Sequence, residues 1–201
     1  KTNRKMKIDK NFFTGKIFKP TQRQLHISDR NECAKGYLEE RRYLEESGFE
    51  GFVTIEALMH NINIVPACRG VYVVMRNSGV APEFLKVGTG GFFKGKNPNV
   101  SIDILKSNWV DDTSVLYIGK AGGTESSATL RKRLEQYMRF GNGEAIGHWG
   151  GRYIWQLADA NELVVCWKEI LDEEPLNVES SMINKFKEKH GLKRPFANLR
   201  D

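Results

Sequence analysis

Three tyrosines and an arginine stand where their side chains could act together on one phosphate. Tyr72 lies in the β-branched, aromatic run Gly70-Val71-Tyr72-Val73-Val74-Met75-Arg76, and Tyr117 in a second run, Ser114-Val115-Leu116-Tyr117-Ile118-Gly119. Both runs read as strands, and tyrosines on neighbouring strands can point to one face of a sheet. Arg133 and Tyr137 are four residues apart in a helical pattern, so they project from one helix face. Hydrolysing a phosphodiester needs a nucleophilic water, charge stabilisation at a crowded phosphate and help for the leaving oxygen. Arg133 would offer a planar donor fork to the phosphate. A tyrosine hydroxyl ordinarily holds its proton to a pKa of about 10, and a nearby cation lowers that value. Such a cation would let Tyr72 position a water or accept its proton, with Tyr117 supporting it by hydrogen bonding. Lys120, just after the second strand, would lower a tyrosine pKa or touch phosphate. Taken singly, each residue has a plainer reading: a strand tyrosine as core, a helix arginine as a solvated charge.

The elements that must hold these groups are legible on either side of them. Residues 1–28 are polar and basic, broken by Gly15 and Pro20, and read as an arm with little regular structure of its own, with two alternatives: a segment that lies along a phosphate backbone, or a disordered terminus. Residues 29–47 read as a helix capped by Asp29. Tyr37, Leu38 and Leu44 are expected to face the core, and Gly48 to end the helix. Thr54 is placed to cap a short helix through Leu58 and Met59, with Glu56 in its first turn and Pro66 closing the segment. Residues 77–113 form a long connection between the first two strands. A glycine-containing loop, residues 122–127, leads into a helix from about Ala128 to Phe140, where Leu130, Leu134, Tyr137 and Met138 recur at helical spacing. Residues 162–170 read as a third strand. The last helix starts near Pro175 or Asn177, carries Met182, Ile183 and Phe186, and stops before Gly191. This order predicts an α+β fold: a small three-stranded antiparallel sheet flanked by helices, with an N-terminal helical extension. The expected division is residues 1–65 for the arm and extension and 66–201 for the domain that carries the chemistry.

The same residues carry a family likeness. Gly70-Val71-Tyr72 followed by Tyr117-Ile118-Gly119-Lys120 resembles the paired strand motifs of GIY-YIG nucleases. Leu130-Arg131-Lys132-Arg133-Leu134 is similar to that family's basic helix, with Arg133 at its arginine and Tyr137 where the family carries Tyr or His. Glu179 opens Glu-Ser-Ser-Met-Ile-Asn-Lys-Phe, which resembles the glutamate-led helix, and Pro195-Phe196-Ala197-Asn198 resembles the closing Pro-x-x-Asn. The resemblance spans residues 70–201. The connection between the strand motifs, the loop before the basic helix and the interval from Glu179 to Asn198 are all longer than in the family pattern. The resemblance implies a metal-dependent DNA endonuclease with one Mg²⁺ (or Mn²⁺) held by Glu179. That suits a sequence with no obvious clustered Asp/Glu motif, since hydrated magnesium takes few protein ligands. It implies that Asn198 orients Glu179 or the backbone nearby, and that double-stranded DNA is the partner. An inactive nucleic-acid-binding module of the same fold and an RNA target are the alternatives.

Composition narrows the remaining choices. The net charge of +6 over 201 residues favours a polyanionic partner. Three cysteines, Cys33, Cys68 and Cys166, without CxxC spacing suggest neither a zinc site nor a disulfide framework. No apolar run is long enough to span a bilayer, and Lys1 to Lys10 lacks the apolar stretch of a secretory signal. A cytoplasmic protein, nucleoid-associated in a bacterium, and a monomer or homodimer are the expectations. Lys94 and Lys96 lie in a glycine-rich loop, Gly90-Gly91-Phe92-Phe93-Lys94-Gly95-Lys96, that could approach a nucleic-acid backbone but lacks the ending of a P-loop. Arg131, and His148 and Arg152 in the segment Gly147-His148-Trp149-Gly150-Gly151-Arg152, complete the residues expected to touch nucleic acid. His148 has a packing role as its alternative.

Overall fold

The computed structural model describes residues 35–200. The basic arm, the Asp29 cap and Cys33 lie outside the described residues. Helix α1 covers residues 35–46. Ion pairs at i,i+4 spacing, Arg41–Glu45 at 2.8 Å and Lys35–Glu39 at 3.9 Å, decorate its outer face. Tyr37 and Leu44, one heptad apart, are buried. Leu38, expected in the core, is 58% exposed because it sits a hundred degrees round the helix from that stripe.

Four strands build the sheet, not three: β1 (Glu50–Thr54), β2 (Gly70–Met75), β3 (Val115–Ala121) and β4 (Val164–Glu169). Their order is β1-β4-β2-β3, and every pair is antiparallel. The unexpected strand is β1, an edge strand whose alternation is interrupted. Gly51 and Phe52 both adopt positive φ, at 96° and 50°, and the register slips between Glu50 and Val53. A Cβ at Gly51 would lie 2.5 Å from the Trp167 ring, so only glycine lets the indole cover this bulge.

Both faces of the sheet are covered, which is why all six residues of β2 are buried. One face gathers Tyr72, Val74 and Tyr117 with helix α2 (Ile55–His60) and helix α4 (Leu130–Gly141). Val71, Val73, Ile118 and Cys166 face the other way, toward Tyr37 and Leu44 of α1 and Ile183 of helix α5 (Pro175–Lys189). Burial among these apolar groups pushes the Cys166 thiol up to about 12. Thr54 caps α2 as expected, accepting from the Ala57 amide at 3.1 Å. Thr129 caps α4, accepting from the Lys132 amide.

The long connection 77–113 is folded onto the body. It contains helix α3 (Ile102–Asn108), capped by Ser101. Buried Gln156 pins the segment: its Oε1 accepts from the Val100 amide at 2.8 Å, and its Nε2 donates to the Leu85 and Val100 carbonyls, both at 3.0 Å. Phe84 and Trp109 from the same connection meet each other edge-on, and both rings contact Phe196 of the C-terminal tail, tilted and edge-on respectively. Among the described residues no helix is long and apolar enough to cross a membrane.

Candidate active site

Tyr72 is fully buried at the centre of the sheet, paired with Gly119 on β3 and Trp167 on β4. Its ring lies flat across Gly119: a Cβ there would stand 2.5 Å from Cζ and 2.6 Å from the hydroxyl. Glycine at 119 therefore lets the phenol reach over β3, the last strand of the sheet, along which α5 packs. Tyr117 meets Tyr72 edge-on at 5.9 Å between ring centroids and Tyr137 at the same distance. Tyr137 is buried, and its hydroxyl donates to the Gly151 carbonyl at 2.8 Å. The three phenols form one row, two from the sheet and one from α4.

Arg133 is half-buried one turn before Tyr137, and its Nε is buried with no hydrogen-bond partner among the described residues. The Tyr72 hydroxyl is buried too, with no partner at full hydrogen-bond geometry among the described residues, but the Tyr117 side chain is near enough for each phenol to act on the other's proton. Glu179, half-buried on α5, accepts no hydrogen bond from the described residues. Its charge is nonetheless felt by both Tyr72 and Tyr117, as is that of Arg133, so the four groups share one electrostatic environment. Burial raises the Glu179 carboxyl above its ordinary value, while Lys120, Arg133 and Arg200 pull it back down.

The tyrosine pKa values run opposite to expectation. Arg133 does lower the Tyr72 value, but burial is the larger effect, and Tyr117 and Glu179 add to it, so Tyr72 stands well above 10. Burial likewise raises Tyr117 and Tyr137. In the protein by itself all three phenols keep their protons at neutral pH.

Asn198 acts on the backbone and not on Glu179. Its Oδ1 accepts from the Ile118 amide at 2.9 Å and its Nδ2 donates to the Ile118 carbonyl at 2.8 Å. The neighbouring Ala197 amide bonds the Leu116 carbonyl at 2.8 Å. The tail thus serves as a short surrogate strand on the free edge of β3, holding the residues on both sides of Tyr117.

The other expected residues divide. Lys120 is half-exposed beside Glu179, within the cluster. Arg131 is turned away from it: Nε donates to the Val65 carbonyl at 2.7 Å and Nη2 to Asn63 at 3.2 Å, which clamps the turn at residues 62–65. His148 is a correction. It is 1% exposed and stacked on Tyr137 at 4.6 Å, out of reach of any backbone phosphate. Burial, helped by the Arg133 charge, holds its pKa at about 3, so the imidazole is neutral, and neither ring nitrogen has a partner among the described residues. Arg152 is partly buried, with its guanidinium 4.6 Å from the Trp149 ring and 4.9 Å from that of Tyr153. Lys94 and Lys96 are exposed.

Three features escaped the sequence. Arg200 is exposed, and its charge reaches both Glu179 and Tyr117, although its position two residues past Asn198 carries no pattern. Gly150 and Gly151 form a cover over the phenols: a Cβ at Gly150 would stand 2.8 Å from the Tyr117 hydroxyl and one at Gly151 2.7 Å from that of Tyr137. Adjacent glycines permit a close approach but carry nothing to say what they approach. Gly119, for its part, reads as a motif letter and gives no hint of the ring above it.

No group of three or more His, Cys, Asp or Glu side chains able to hold a metal occurs among the described residues. A lone carboxylate without a hydrogen-bond donor among the described residues suits a divalent cation that keeps most of its waters, and does not suit one that needs a protein cage. Lys120, Arg133 and Arg200 all act on Glu179, while Glu174, on which Lys120 also acts, is paired with Arg69 at 3.6 Å. No protein-family model, curated protein or solved structure matches the chain.

Proposed function

We propose that this protein is a metal-dependent endonuclease that hydrolyses phosphodiester bonds in DNA at the Tyr72–Tyr117–Arg133–Glu179 cluster, as its resemblance to GIY-YIG nucleases implies. One observation carries the reading. Tyr72 and Tyr117 meet edge-on in one buried row, the charges of Arg133 and Glu179 act on both, and the Arg133 Nε is buried with no hydrogen-bond partner among the described residues. Leaving such an atom unpaired costs about 1–3 kcal/mol, a cost that a bound substrate would offset.

Glu179 would hold the metal, which supplies positive charge at the phosphate and eases loss of a proton from water. Arg133 would direct its unpartnered Nε–H at the scissile phosphate and stabilise the charge that develops there. Tyr72, a neutral phenol in the protein alone, would orient the attacking water through its hydroxyl. It becomes a base only if charge beyond that of Arg133 offsets its burial. Tyr117 would fix the tilt of the Tyr72 ring, and the cover at Gly150 and Gly151 would keep bulk water off the row of phenols. Lys120 and Arg200 would neutralise the phosphates on either side.

Plasmid nicking with Mg²⁺ or Mn²⁺ tests this, comparing wild type with Glu179→Ala and Arg133→Ala. Wild type should nick, and each variant should lose about two orders of magnitude or more in rate while staying folded by circular dichroism. A wild type that binds DNA but cuts neither DNA nor a parallel RNA substrate with any divalent metal would leave a binding module in place of the nuclease.

A further inference from the structure

Two loops outside the catalytic cluster meet beside it. Residues 88–98 carry exposed Lys94 and Lys96 and Phe92, which is 53% exposed; residues 147–152 carry Trp149, 36% exposed. The first loop packs closely on the segment leading into the second. A Cβ at Gly91 would stand 1.9 Å from the Glu144 carbonyl oxygen, and one at Gly147 would stand 3.2 Å from the Phe93 ring. Arg152 ties the two loops together by donating from Nε to the Pro98 carbonyl at 3.2 Å. The second loop is itself seated on the row of phenols through Gly150 and Gly151. Trp149 is therefore the immediate chain neighbour of the residue that lies on the Tyr117 hydroxyl. The Arg152 guanidinium over its ring, at 4.6 Å, braces the indole, while part of its surface stays in water.

A part-exposed indole braced by one guanidinium, one residue from the proposed hydrolytic site, has the makings of a stacking platform. Indole faces bind bases of any identity, and flanking Lys and Arg hold the adjoining phosphates. Resting on the nuclease reading, we infer that Trp149 stacks on one unpaired nucleobase next to the scissile phosphate, with Lys94 and Lys96 tracking the strand beyond. A base inside an intact duplex shows its edges to a side chain and keeps its faces stacked. The substrate must therefore present a base already out of the stack, or let one be drawn out at a cost that is least where pairing is absent. This selects DNA carrying a bulge or a single-stranded stretch over continuous duplex.

The test is binding of the full chain without divalent metal, by fluorescence anisotropy. The probes are a paired duplex, the same duplex with a one-nucleotide bulge, and a single strand. Wild type should bind the bulged duplex, the single strand or both about tenfold or more tighter than the paired duplex. Trp149→Leu, which keeps an apolar side chain without the aromatic face, should lose that preference while its affinity for paired duplex changes by less than about twofold; Trp149→Phe should keep most of it. Preference for the single strand alone, lost in Trp149→Leu, would support the platform and identify strands as the source of the base. No preference in wild type, or a preference undiminished in a Trp149→Leu protein that melts like wild type, would overturn it. Cleavage of the bulged duplex and the single strand with Mg²⁺ or Mn²⁺ separates the two readings, since the platform itself makes continuous duplex a poor substrate. Cleavage without a Trp149-dependent preference leaves the nuclease and removes the platform. The preference without cleavage of any of these probes leaves the platform and removes the nuclease.

Discussion

A hydrogen atom in place of a side chain at position 119 decides where the Tyr72 hydroxyl can go. Gly119→Ala would put a methyl 2.5 Å from the ring carbon bearing that hydroxyl, and a buried phenol in the centre of a sheet cannot simply swing away. The expected cost is about 1–3 kcal/mol of stability, from overpacking. Nicking activity should fall by a larger factor than that stability loss explains, because the displaced atom is the one proposed to hold water. Urea unfolding together with nicking rates checks both, and an alanine variant with wild-type cleavage would remove Tyr72 from the mechanism. His148 supports a second prediction. Its folded pKa, about 3, lies below the ordinary 6.5. As pH falls below 6.5 the unfolded chain takes up a proton that the folded chain refuses, so this residue's contribution is present above that pH and lost on acidification. The slope is at most about 1.4 kcal/mol per pH unit. Urea unfolding at neutral pH and at about pH 5 should show a shallower loss in His148→Phe than in wild type; equal losses would mean that the imidazole is not held neutral. The types and order of Tyr72, Tyr117, Arg133 and Glu179 are legible in the chain because each sits in a patterned segment. The burial of His148 is not, since a histidine between Gly147 and Trp149 in an irregular loop carries no periodicity to say which way it faces.

Elements with a regular pattern are legible in the sequence, and elements whose pattern is interrupted are not. α4 is legible because Leu130, Leu134, Tyr137 and Met138 all face the sheet. β2 and β4 are legible as continuous apolar runs covered on both faces. β1 is not, because its bulge at Gly51 and Phe52 breaks the alternation that marks a strand. The C-terminal tail is the subtler case. It has no secondary structure of its own, yet it completes the β3 edge through Asn198 and Ala197. Asn198→Ala removes a donor and an acceptor from a buried backbone pair, and each group left unpaired costs about 1–3 kcal/mol. Asn198→Asp keeps the acceptor for the Ile118 amide but sets a second oxygen, and a buried charge, against the Ile118 carbonyl, so at neutral pH it should be at least as damaging as alanine in both melting temperature and nicking rate. If both variants melt and nick like wild type, the tail is held by the packing of Phe196 and not by this pair of bonds.

At the scale of the molecule, charge and core lead to separate expectations. The cations around Glu179 and on the two loops should make DNA binding fall with salt, and Arg200→Ala should reduce the slope of log affinity against log salt by about one without abolishing binding. A slope unchanged in that variant would place Arg200 off the path of the backbone. The core decides how much of the chain is needed. Residues 50–65 share one sheet and one core with the strands and helices after Pro66. β1 pairs with β4, and Ile55, Leu58 and Val65 are completely buried in the cluster that contains Tyr72 and α4. Burying one such side chain contributes about 1.5–3 kcal/mol, so the three together supply roughly 5–9 kcal/mol. The net stability of a domain this size is only about 5–15 kcal/mol. A fragment beginning at Pro66 keeps every residue of the family resemblance but loses these side chains and bares the β4 edge. It should be unfolded or aggregated at room temperature, with the far-ultraviolet circular dichroism and amide dispersion of a disordered chain. A well-dispersed spectrum from residues 66–201 would mean that the catalytic elements form a core of their own, and that α2 and β1 are additions to it.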